Sequence, residues 1–366
     1  MFLYLISLSL ASAMCPIYSC TEEALEVDQC VQKSGEAYYI EPCTDSIKSE
    51  CSISSSGNGT FHQSKNTLAK SIKSECSISS SGNGTCKAPT SSSIQKYPGE
   101  KCSIAEDCVF SKGCVESICQ GSAINETCAD THYCSPGLYC SANSICEQPS
   151  NKACLSDYDC SNSYTCNNNQ CVKYLSIDAN KDCSVCNDGL NMACKSSACL
   201  ASGSENYCLD YISHPSKNAT LCSNDEDCIS NKFGSLNLTI NSPCACGMNP
   251  SGNSYCALLP GDEVYRKYLE LLEDWVEGEN IKKCNSMRRM SYDCIADWWD
   301  KKHYIQFVYY HETLLNYPKL QEMDYCTQKV YYGDYTKVKD QFENIKDLNI
   351  DFAMHIALGI WVLSLV

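Results

Sequence analysis

The chain has 366 residues, including 32 cysteines, and carries a formal net charge of -16 with a pI near 4.8. The acidic charge argues against nucleic acid and anionic membrane surfaces as partners, because both would repel it, while cationic partners and divalent ions fit. The cysteine content is typical of a disulfide scaffold and excludes a chain that depends on an ordinary hydrophobic core alone.

The first residues resemble a secretory signal peptide. An apolar run from Phe2 to Leu10 precedes Ala11, Ser12 and Ala13, the small-residue pattern after which signal peptidase cuts. We expect cleavage near Ala13, so that residues 1–13 are the signal peptide. The alternative is an N-terminal strand or helix of the fold.

All of the cysteines follow Ala13, and we predict that they form structural disulfides in an oxidising compartment. Zinc is the alternative at the close pairs Cys183/Cys186 and Cys244/Cys246, but few histidines and no regular C-x-x-C partners accompany them. Five sites fit the N-glycosylation acceptor pattern of exported proteins: Asn58, Asn83, Asn125, Asn218 and Asn237.

Residues 14–100 form an irregular cysteine-rich segment that closes with the linker "APTSSSIQKYPGE". Within it, "SIKSECSISSSGNGT" occurs at Ser46–Thr60 and again, unchanged, at Ser71–Thr85. An identical copy indicates a recent duplication or a gene-model error. Only the second copy runs directly into a cysteine, Cys86, so we predict that Cys51 is a free or mispaired thiol.

Residues 101–172 hold three tandem four-cysteine modules that repeat every 26 residues. Each is too small to bury a core, so we predict short hairpins and turns stapled by two disulfides per module. The cysteines are Cys102, Cys108, Cys114 and Cys119; Cys128, Cys134, Cys140 and Cys146; and Cys154, Cys160, Cys166 and Cys171.

An acidic residue precedes the second cysteine in two of the modules. It is Asp107 in the first and Asp159 in the third, whereas the middle module has Tyr133. Calcium binding is one interpretation of a recurring acid. We favour turn caps in which each aspartate accepts backbone N–H bonds.

Residues 183–256 are a further cysteine-rich region with uneven spacing. Cys222-x5-Cys228 suggests a degenerate fourth module. The disulfide connectivity of this region stays open, because eight cysteines alone allow 105 pairings.

Residues 257–335 predict a small, mainly helical domain. In "DEVYRKYLELLEDWVEG" the side chains of Val264, Tyr268, Leu271, Leu272 and Trp275 share one helical face, with Asp262 and Glu263 near the start and Gly278 at the stop. A second helix is predicted before Pro318 from Tyr304, Phe307, Val308, His311, Leu314 and Leu315. An aromatic ligand cage is conceivable there, but buried packing is the favoured interpretation.

The modules "GEKCSIAEDCVFSKGCVESIC" and "NKACLSDYDCSNSYTCNNNQC" resemble the Dickkopf N-terminal cysteine-rich pattern, and more closely the tandem modules of cysteine-rich surface proteins of ciliates. The stretches "CNSMRRMSYDC" and "WWDKKHYIQFVYY" are similar to the C-terminal portion of those ciliate proteins. The likeness spans most of residues 15–335 and implies neither an enzymatic activity nor a defined ligand. The Dickkopf likeness is confined to cysteine spacing.

Residues 336–366 combine a polar spacer with the apolar tail Phe352–Val366. Fifteen helical residues span roughly 22 Å, less than the ~30 Å of a bilayer core. We therefore expect a glycosylphosphatidylinositol (GPI) signal, with Asp340 and Asn344 as candidate attachment sites, although no run of small residues marks the position. A short transmembrane tail and an ordinary C-terminal helix are the alternatives.

No catalytic motif stands out, and we predict no enzyme activity, no cofactor and no resident metal. Cys183 and Cys186 have redox-dithiol spacing without a surrounding βαβ pattern, and Asp300 with His303 is interpreted as a solvated salt bridge. The sequence favours a disulfide-stabilised structural or recognition protein on the extracellular face of the plasma membrane, with an unknown protein or glycan ligand. The alternatives are a secreted Dickkopf-like ligand or antagonist and an oxidoreductase.

Overall fold

The computed structural model describes residues 15–20, 29–42, 75–78, 80, 84–87, 95–150, 153–183, 192–202, 205–215, 219–233 and 238–345. Two compact units form, each from separate stretches of the chain. The first unit comprises Met1–Thr90, Ser216–Ala257 and Asn316–Thr336, and the second comprises Ser91–Pro215, Leu258–Leu315 and Lys337–Val366. The first copy of the duplicated segment, Ser46–Thr60 with Cys51, and the apolar tail lie outside the described residues.

The predicted fold class is confirmed: disulfides among short strand pairs are followed by a helical region. The described strands, β1 to β18 in chain order, are Ile17–Cys20, Gln29–Ser34, Ala37–Pro42, Glu75–Ile78, Gly84–Lys87, Cys114–Val115, Ile118–Cys119, Tyr139–Cys140, Cys146–Glu147, Tyr164–Asn167, Gln170–Lys173, Cys199–Ser202, Glu205–Cys208, Leu221–Cys222, Ile229–Phe233, Leu238–Asn241, Cys244–Cys246 and Ser254–Cys256.

Five α-helices lie in the described part of the C-terminal region. They are α1 (Glu263–Glu277), α2 (Tyr292–Trp298), α3 (Lys301–Leu320), α4 (Tyr325–Tyr331) and α5 (333–345). Short 3-10 helices occupy Ala105–Asp107, Thr131–Tyr133, Asp157–Asp159, Asp225–Cys228 and Glu279–Lys283.

In modules 1 to 3 the first cysteine pairs with the third and the second with the fourth. The disulfides are Cys102–Cys114 and Cys108–Cys119, Cys128–Cys140 and Cys134–Cys146, and Cys154–Cys166 and Cys160–Cys171. The last two cysteines of each module face each other across its hairpin. Each of them is nevertheless bonded to the preceding arm, so the hairpin is fastened to the turn before it.

The same crossed pairing recurs twice more. Module 4 has Cys183–Cys199 and Cys194–Cys208. Module 5 has Cys222–Cys244 and Cys228–Cys256, so the module predicted as the fourth from Cys222-x5-Cys228 is present but is the fifth in chain order.

In this connectivity the sulfur of Cys183, which has redox-dithiol spacing to Cys186, is bonded to Cys199. The second close pair considered for zinc, Cys244 and Cys246, is bonded to two different partners. Cys244 bonds to Cys222, and Cys246 bonds to Cys15.

The predicted aspartate caps are confirmed. Asp107 Oδ2 accepts the N–H groups of Ser103 and Ile104 at 2.8 and 3.1 Å, and these bonds lower the pKa of its carboxyl. Asp159 Oδ2 accepts the equivalent pair in module 3 at 2.8 and 2.9 Å. Asp227 does the same in module 5. A repeated turn, held by its own carboxylate, therefore precedes the second cysteine.

The residue three positions before the first cysteine has a left-handed backbone in modules 1, 2 and 4. It is Gly99, Asn125 and Asn180, with φ of 92°, 66° and 63°. Glycine and asparagine tolerate this region better than other residues. At Gly99 a β-carbon would lie 2.2 Å from the carbonyl oxygen of Lys283, so only glycine fits that turn.

The first unit contains more order than the irregular segment expected over 14–100. Its sheet has the order β1-β3-β2, with β1 and β3 parallel and β2 and β3 antiparallel. Val31 and Ile40 are buried against α4. The disulfides Cys15–Cys246 and Cys20–Cys326 join residues 231 and 306 positions apart.

The helical region has an aromatic core, as predicted. Tyr268, Trp275 and Phe307 are at most 2 % exposed and pack with aliphatic side chains into one cluster. Helix α1 ends at the predicted Gly278. The prediction that the second helix stops before Pro318 is wrong, since α3 continues to Leu320. Proline in a final turn removes few backbone bonds, and the helix tolerates it there.

Candidate functional site

One loop in the second unit contacts modules 1, 2 and 3. This anchor loop, Cys284–Cys294, is closed by its own disulfide. It follows the 3-10 helix Glu279–Lys283 and ends in the first turn of α2. Its residues Asn285, Ser286 and Arg289 are at most 2 % exposed. Buried polar side chains of this kind need hydrogen-bond partners, and the modules supply them.

Asn285 and Ser286 bind module 2 through its main chain. The Asn285 Nδ2 group donates to the carbonyl oxygens of Thr131, His132 and Cys134 at 2.9, 3.2 and 2.8 Å. The hydroxyl of Ser286 donates to the carbonyl of Leu138 at 3.0 Å. The turn that carries the second cysteine is thereby held from outside the module.

Arg289 binds module 3. Its guanidinium donates to the carbonyl oxygens of Asp157, Tyr164 and Cys160 at 2.8, 3.1 and 3.4 Å. It also donates to the hydroxyl of Tyr174 at 2.9 Å, and burial raises the pKa of that phenol. The acceptors satisfy most of the donors of the guanidinium, so the buried cation is compensated.

Module 3 also donates hydrogen bonds to the anchor loop and to the 3-10 helix before it. The Nδ2 group of Asn162, which is 2 % exposed, donates to the carbonyls of Ile281 and Cys284 at 2.7 and 2.8 Å. The indole of Trp275 on α1 donates to the carbonyl of Arg289 at 2.9 Å. The loop is therefore fixed to the helical core on one side and to the module on the other.

Module 1 is held through the residues just before it, since Gly99 N–H donates to the carbonyl of Cys119 at 2.9 Å and Cys119 N–H donates to the carbonyl of Glu100 at 3.0 Å. Arg288 Nε lies 3.4 Å from the fully buried Glu100 and stacks on Tyr97, with 4.4 Å between the guanidinium carbon and the ring centroid. Burial raises the pKa of the Glu100 carboxyl, and Arg288 opposes that shift. The indole of Trp298 donates to the carbonyl of Gly99 at 2.9 Å.

Most of these bonds end on backbone carbonyls of the modules. Backbone acceptors are the same whatever side chains a module carries, so modules of different sequence can be held by one loop. The result is a rigid assembly of three modules on a helical base, and this assembly is the candidate functional site.

The assembly carries a half-buried aromatic patch of which Phe110 is the exposed member. Tyr97, Phe110, His132 and Tyr133 form it, and the linked ring centroids lie 5.2 to 5.5 Å apart. Phe110 is 38 % exposed and has a φ of 52°, a strained backbone for a bulky side chain. The ring planes make angles of 26° to 83° with one another, so the four rings pack against each other.

The described residues line cavities in both units. One, of about 210 Å³, lies in the second unit between α1 and module 4. Another, of about 380 Å³, lies in the first unit beside Ile17, Leu221 and the loop 251–254.

A cluster of ionisable groups lies between α2 and α3. The phenol of Tyr292 contacts His311 Nδ1 and donates to Glu312 Oε1 at 2.7 Å. Burial lowers the pKa of His311, which stacks on Tyr268 and Phe307. The predicted salt bridge of Asp300 and His303 is confirmed as an exposed pair.

The structure places the remaining predicted sites as follows. Asn125 is exposed in its left-handed turn, and the other four glycosylation candidates lie outside the described residues. Asp340 and Asn344 occupy exposed positions of α5. In the part of the chain that the structure covers, no helix combines the length and apolarity needed to cross a bilayer.

The residues of the anchor loop were missed as site residues by sequence reasoning. One signal could have indicated them: the chain has only three arginines, and two of them are adjacent between Cys284 and Cys294. Their acceptors are carbonyl groups, which leave no trace in the sequence.

Sulfur atoms cluster in each of the five modules, where three cysteine sulfurs lie within 4.8 Å of one another. Those sulfurs belong to the crossed disulfides, and the thiolate form is what binds metals. Comparison with protein-family models, with curated proteins and with solved structures finds no match. The density of disulfides indicates a secreted or extracellular protein.

Proposed function

We propose that the protein is a non-enzymatic structural or recognition protein of the cell surface, which presents modules 1 to 3 as one rigid, protease-resistant surface. The observation that carries the proposal is the anchor loop. Asn285, Arg288 and Arg289 each contact a different module and fix all three to one helical base. Tandem modules joined only by flexible linkers would need no such element.

The likeness to ciliate surface proteins supports the same function, as does the aromatic patch around Phe110. Aromatic side chains are enriched where proteins recognise partners. A C-terminal lipid anchor, with the GPI signal in residues 336–366, would hold the protein on the outer leaflet. A protein or glycan ligand on an opposing surface is the partner class that such a display suits.

The rigid assembly is tested by Asn285→Ala. Loss of its amide removes a donor that three carbonyls of module 2 share, and of these the Thr131 carbonyl keeps the N–H of Cys134, so we expect amide hydrogen exchange in residues 128–146 to accelerate at least tenfold. Asn224→Ala, which removes an asparagine of module 5, is the matched control and should leave module 2 unchanged. Identical exchange in the two variants would show that module 2 does not depend on the loop and would overturn the proposal.

Localisation is tested separately with a tag placed after Ala13. Staining of unpermeabilised cells and release by phosphatidylinositol-specific phospholipase are expected. Retention in the membrane after this treatment would favour a peptide span, and full recovery in the medium without treatment would favour a secreted ligand.

A further inference from the structure

Two lysine side chains contact the indole of Trp298 where module 1 meets the helical base of the second unit. Trp298 ends α2, Lys101 directly precedes the first cysteine of module 1, and Lys283 ends the 3-10 helix before the anchor loop. The ammonium nitrogens of Lys101 and Lys283 lie 5.0 and 4.5 Å from the ring centroid. Because both distances are measured to one centre, their sum sets an upper limit of about 9.5 Å between the two nitrogens.

Hydrogen bonds hold this site in place. The indole N–H of Trp298 donates to the carbonyl of Gly99 at 2.9 Å, and the N–H of Lys101 donates to Asp297 Oδ2 at 2.7 Å. A β-carbon on Gly99 would lie 2.2 Å from the carbonyl oxygen of Lys283, so the two chain segments approach each other closely. The contact between module 1 and the helical base therefore brings two cations from distant parts of the sequence to one ring.

The charges of these two lysines are not neutralised. Within the described residues, neither ammonium group has a carboxylate at salt-bridge distance, although the chain has 44 acidic residues. The neighbouring cations do have such partners. Lys96 is paired with Asp297 at 3.7 Å, and the guanidinium of Arg288 contacts two carboxylates. A cation–π contact attracts an ammonium group to a ring but leaves its charge in place, so two exposed positive charges remain at this junction.

The site favours a narrow anionic chain over a broad anionic surface. A bilayer or a duplex nucleic acid would also meet the rest of a protein whose net charge is -16. A narrow chain needs to contact only the strip that holds Lys101 and Lys283. Salt screens charges over about 8 Å at physiological ionic strength, so more distant carboxylates repel such a chain weakly. A lysine ammonium group is a compact point charge with three donors, which suits an oxyanion with several equivalent oxygens.

From this arrangement we propose that Lys101 and Lys283, held on Trp298, bind a sulfated glycan. Each lysine pairs with one sulfate group, and the two sulfates are carried by the same or by neighbouring sugar rings. A sulfate ester offers three terminal oxygens and stays ionised throughout the physiological pH range. The inference deepens the proposed recognition role and rests on it, since module 1 must be fixed to the helical base for Lys101 to stay beside Lys283.

Calorimetric titration of the full chain with a heparin-derived tetrasaccharide tests the proposal. Saturable binding is expected, and it should weaken as the salt concentration rises, because exposed charge pairs are screened. The fully desulfated tetrasaccharide should show no binding. A glutamate peptide of equal charge should bind about fivefold more weakly or worse. No saturable binding of the sulfated tetrasaccharide, or equal binding of the peptide, would overturn the proposal.

Two variants assign the charges. Lys101→Gln and Lys283→Gln should each weaken binding of the tetrasaccharide about fivefold, because each removes one exposed charge pair with the ligand. Lys283→Arg keeps the charge and should keep the affinity within about twofold. The matched control is Lys282→Gln, since Lys282 is adjacent and exposed but paired with Glu279 at 2.6 Å. An equal loss in Lys282→Gln and Lys283→Gln would show that total charge alone governs binding and would overturn the assignment.

Folding is monitored by the protease resistance of each variant. A variant that stays resistant but binds the tetrasaccharide more weakly supports the site. A wild-type chain that never binds the tetrasaccharide, while Asn285→Ala still accelerates exchange in module 2, contradicts the glycan site alone and leaves the proposed function intact. Unchanged exchange in Asn285→Ala overturns the rigid assembly, and with it the basis of the site.

Discussion

The modules and the helical region are stabilised by different interactions, disulfides in the modules and packed apolar side chains in the helical region. Module 2 buries Cys128, Cys134 and Cys146 as its core, with Tyr133 and Leu138 packed beside them. The helical region instead buries a cluster built from aromatic and aliphatic side chains, and its described residues hold one disulfide of their own, Cys284–Cys294. A unit of 26 residues cannot bury enough apolar surface to fold, so covalent links replace the missing core.

The anchor loop teaches how two such regions can be joined. It carries a disulfide, like the modules, and it rests on Trp275 of the apolar core. Its bonds to the modules are nearly all polar and buried, and buried polar bonds are strong only when every member has a partner. The junction is therefore the place where small changes should have large effects.

Full reduction should have the largest effect and should separate the two regions. The module disulfides close loops of 11 or 12 residues, each worth about 3 kcal/mol, so two of them contribute about 6 kcal/mol per module. After reduction and alkylation, hydrogen exchange should become fast throughout residues 102–171 while α1 and α3 keep slow amides. Slow exchange in reduced modules would show that the modules do not depend on their disulfides for stability.

Arg289→Leu should destabilise the second unit by about 4 kcal/mol, because it removes a buried charged donor that three carbonyls of module 3 and the phenol of Tyr174 share. Guanidinium unfolding of the variant measures this loss. Arg266→Gln is the control, since Arg266 is exposed and should change stability by less than about 0.5 kcal/mol. Equal stabilities of the two variants would mean that the junction contributes little.

Asp159→Ala should act within one module. It removes an acceptor shared by the N–H groups of Leu155 and Ser156 and should cost about 2 kcal/mol locally. Exchange should accelerate at residues 153–160 and stay unchanged in α1. Gln170→Ala, at an exposed position of the same module, serves as the control. An effect that spreads into the helical region would show that the modules are less independent than their disulfides indicate.

The smallest effect should come from pH acting on the helical region. The pKa of His311 is lowered by burial, so the folded state binds fewer protons than the unfolded state just below the ordinary value of 6.5. Stability should therefore fall as pH drops below about 6.5 and level off below the folded pKa, by on the order of 1 kcal/mol or less.

His311→Leu removes the titrating group and should flatten this slope between pH 7 and 5. Thermal melting at several pH values measures it. His303→Leu is the control, because His303 is exposed and its loss should leave the slope in place. A slope unchanged in His311→Leu would contradict the assignment to this side chain.

Local patterns in the sequence were sufficient for several features. Cysteine spacing predicted the modules, the register of Asp107 and Asp159 predicted their caps, and the apolar period predicted α1 up to Gly278. Each of these features depends on residues a few positions apart, so the spacing along the chain is enough to predict which residues are in contact.

The sequence by itself thus determined that this is a chain of small cystine-stapled units followed by helices. Only the tertiary structure decided that Cys20 pairs with Cys326, that α3 passes Pro318, and that one loop holds three modules. The physical reason is that any thiol can bond to any other, and any donor can bond to any carbonyl. The partner of each group is the one that lies nearest in the folded chain. Which distant residues become neighbours cannot be predicted from the local sequence around them.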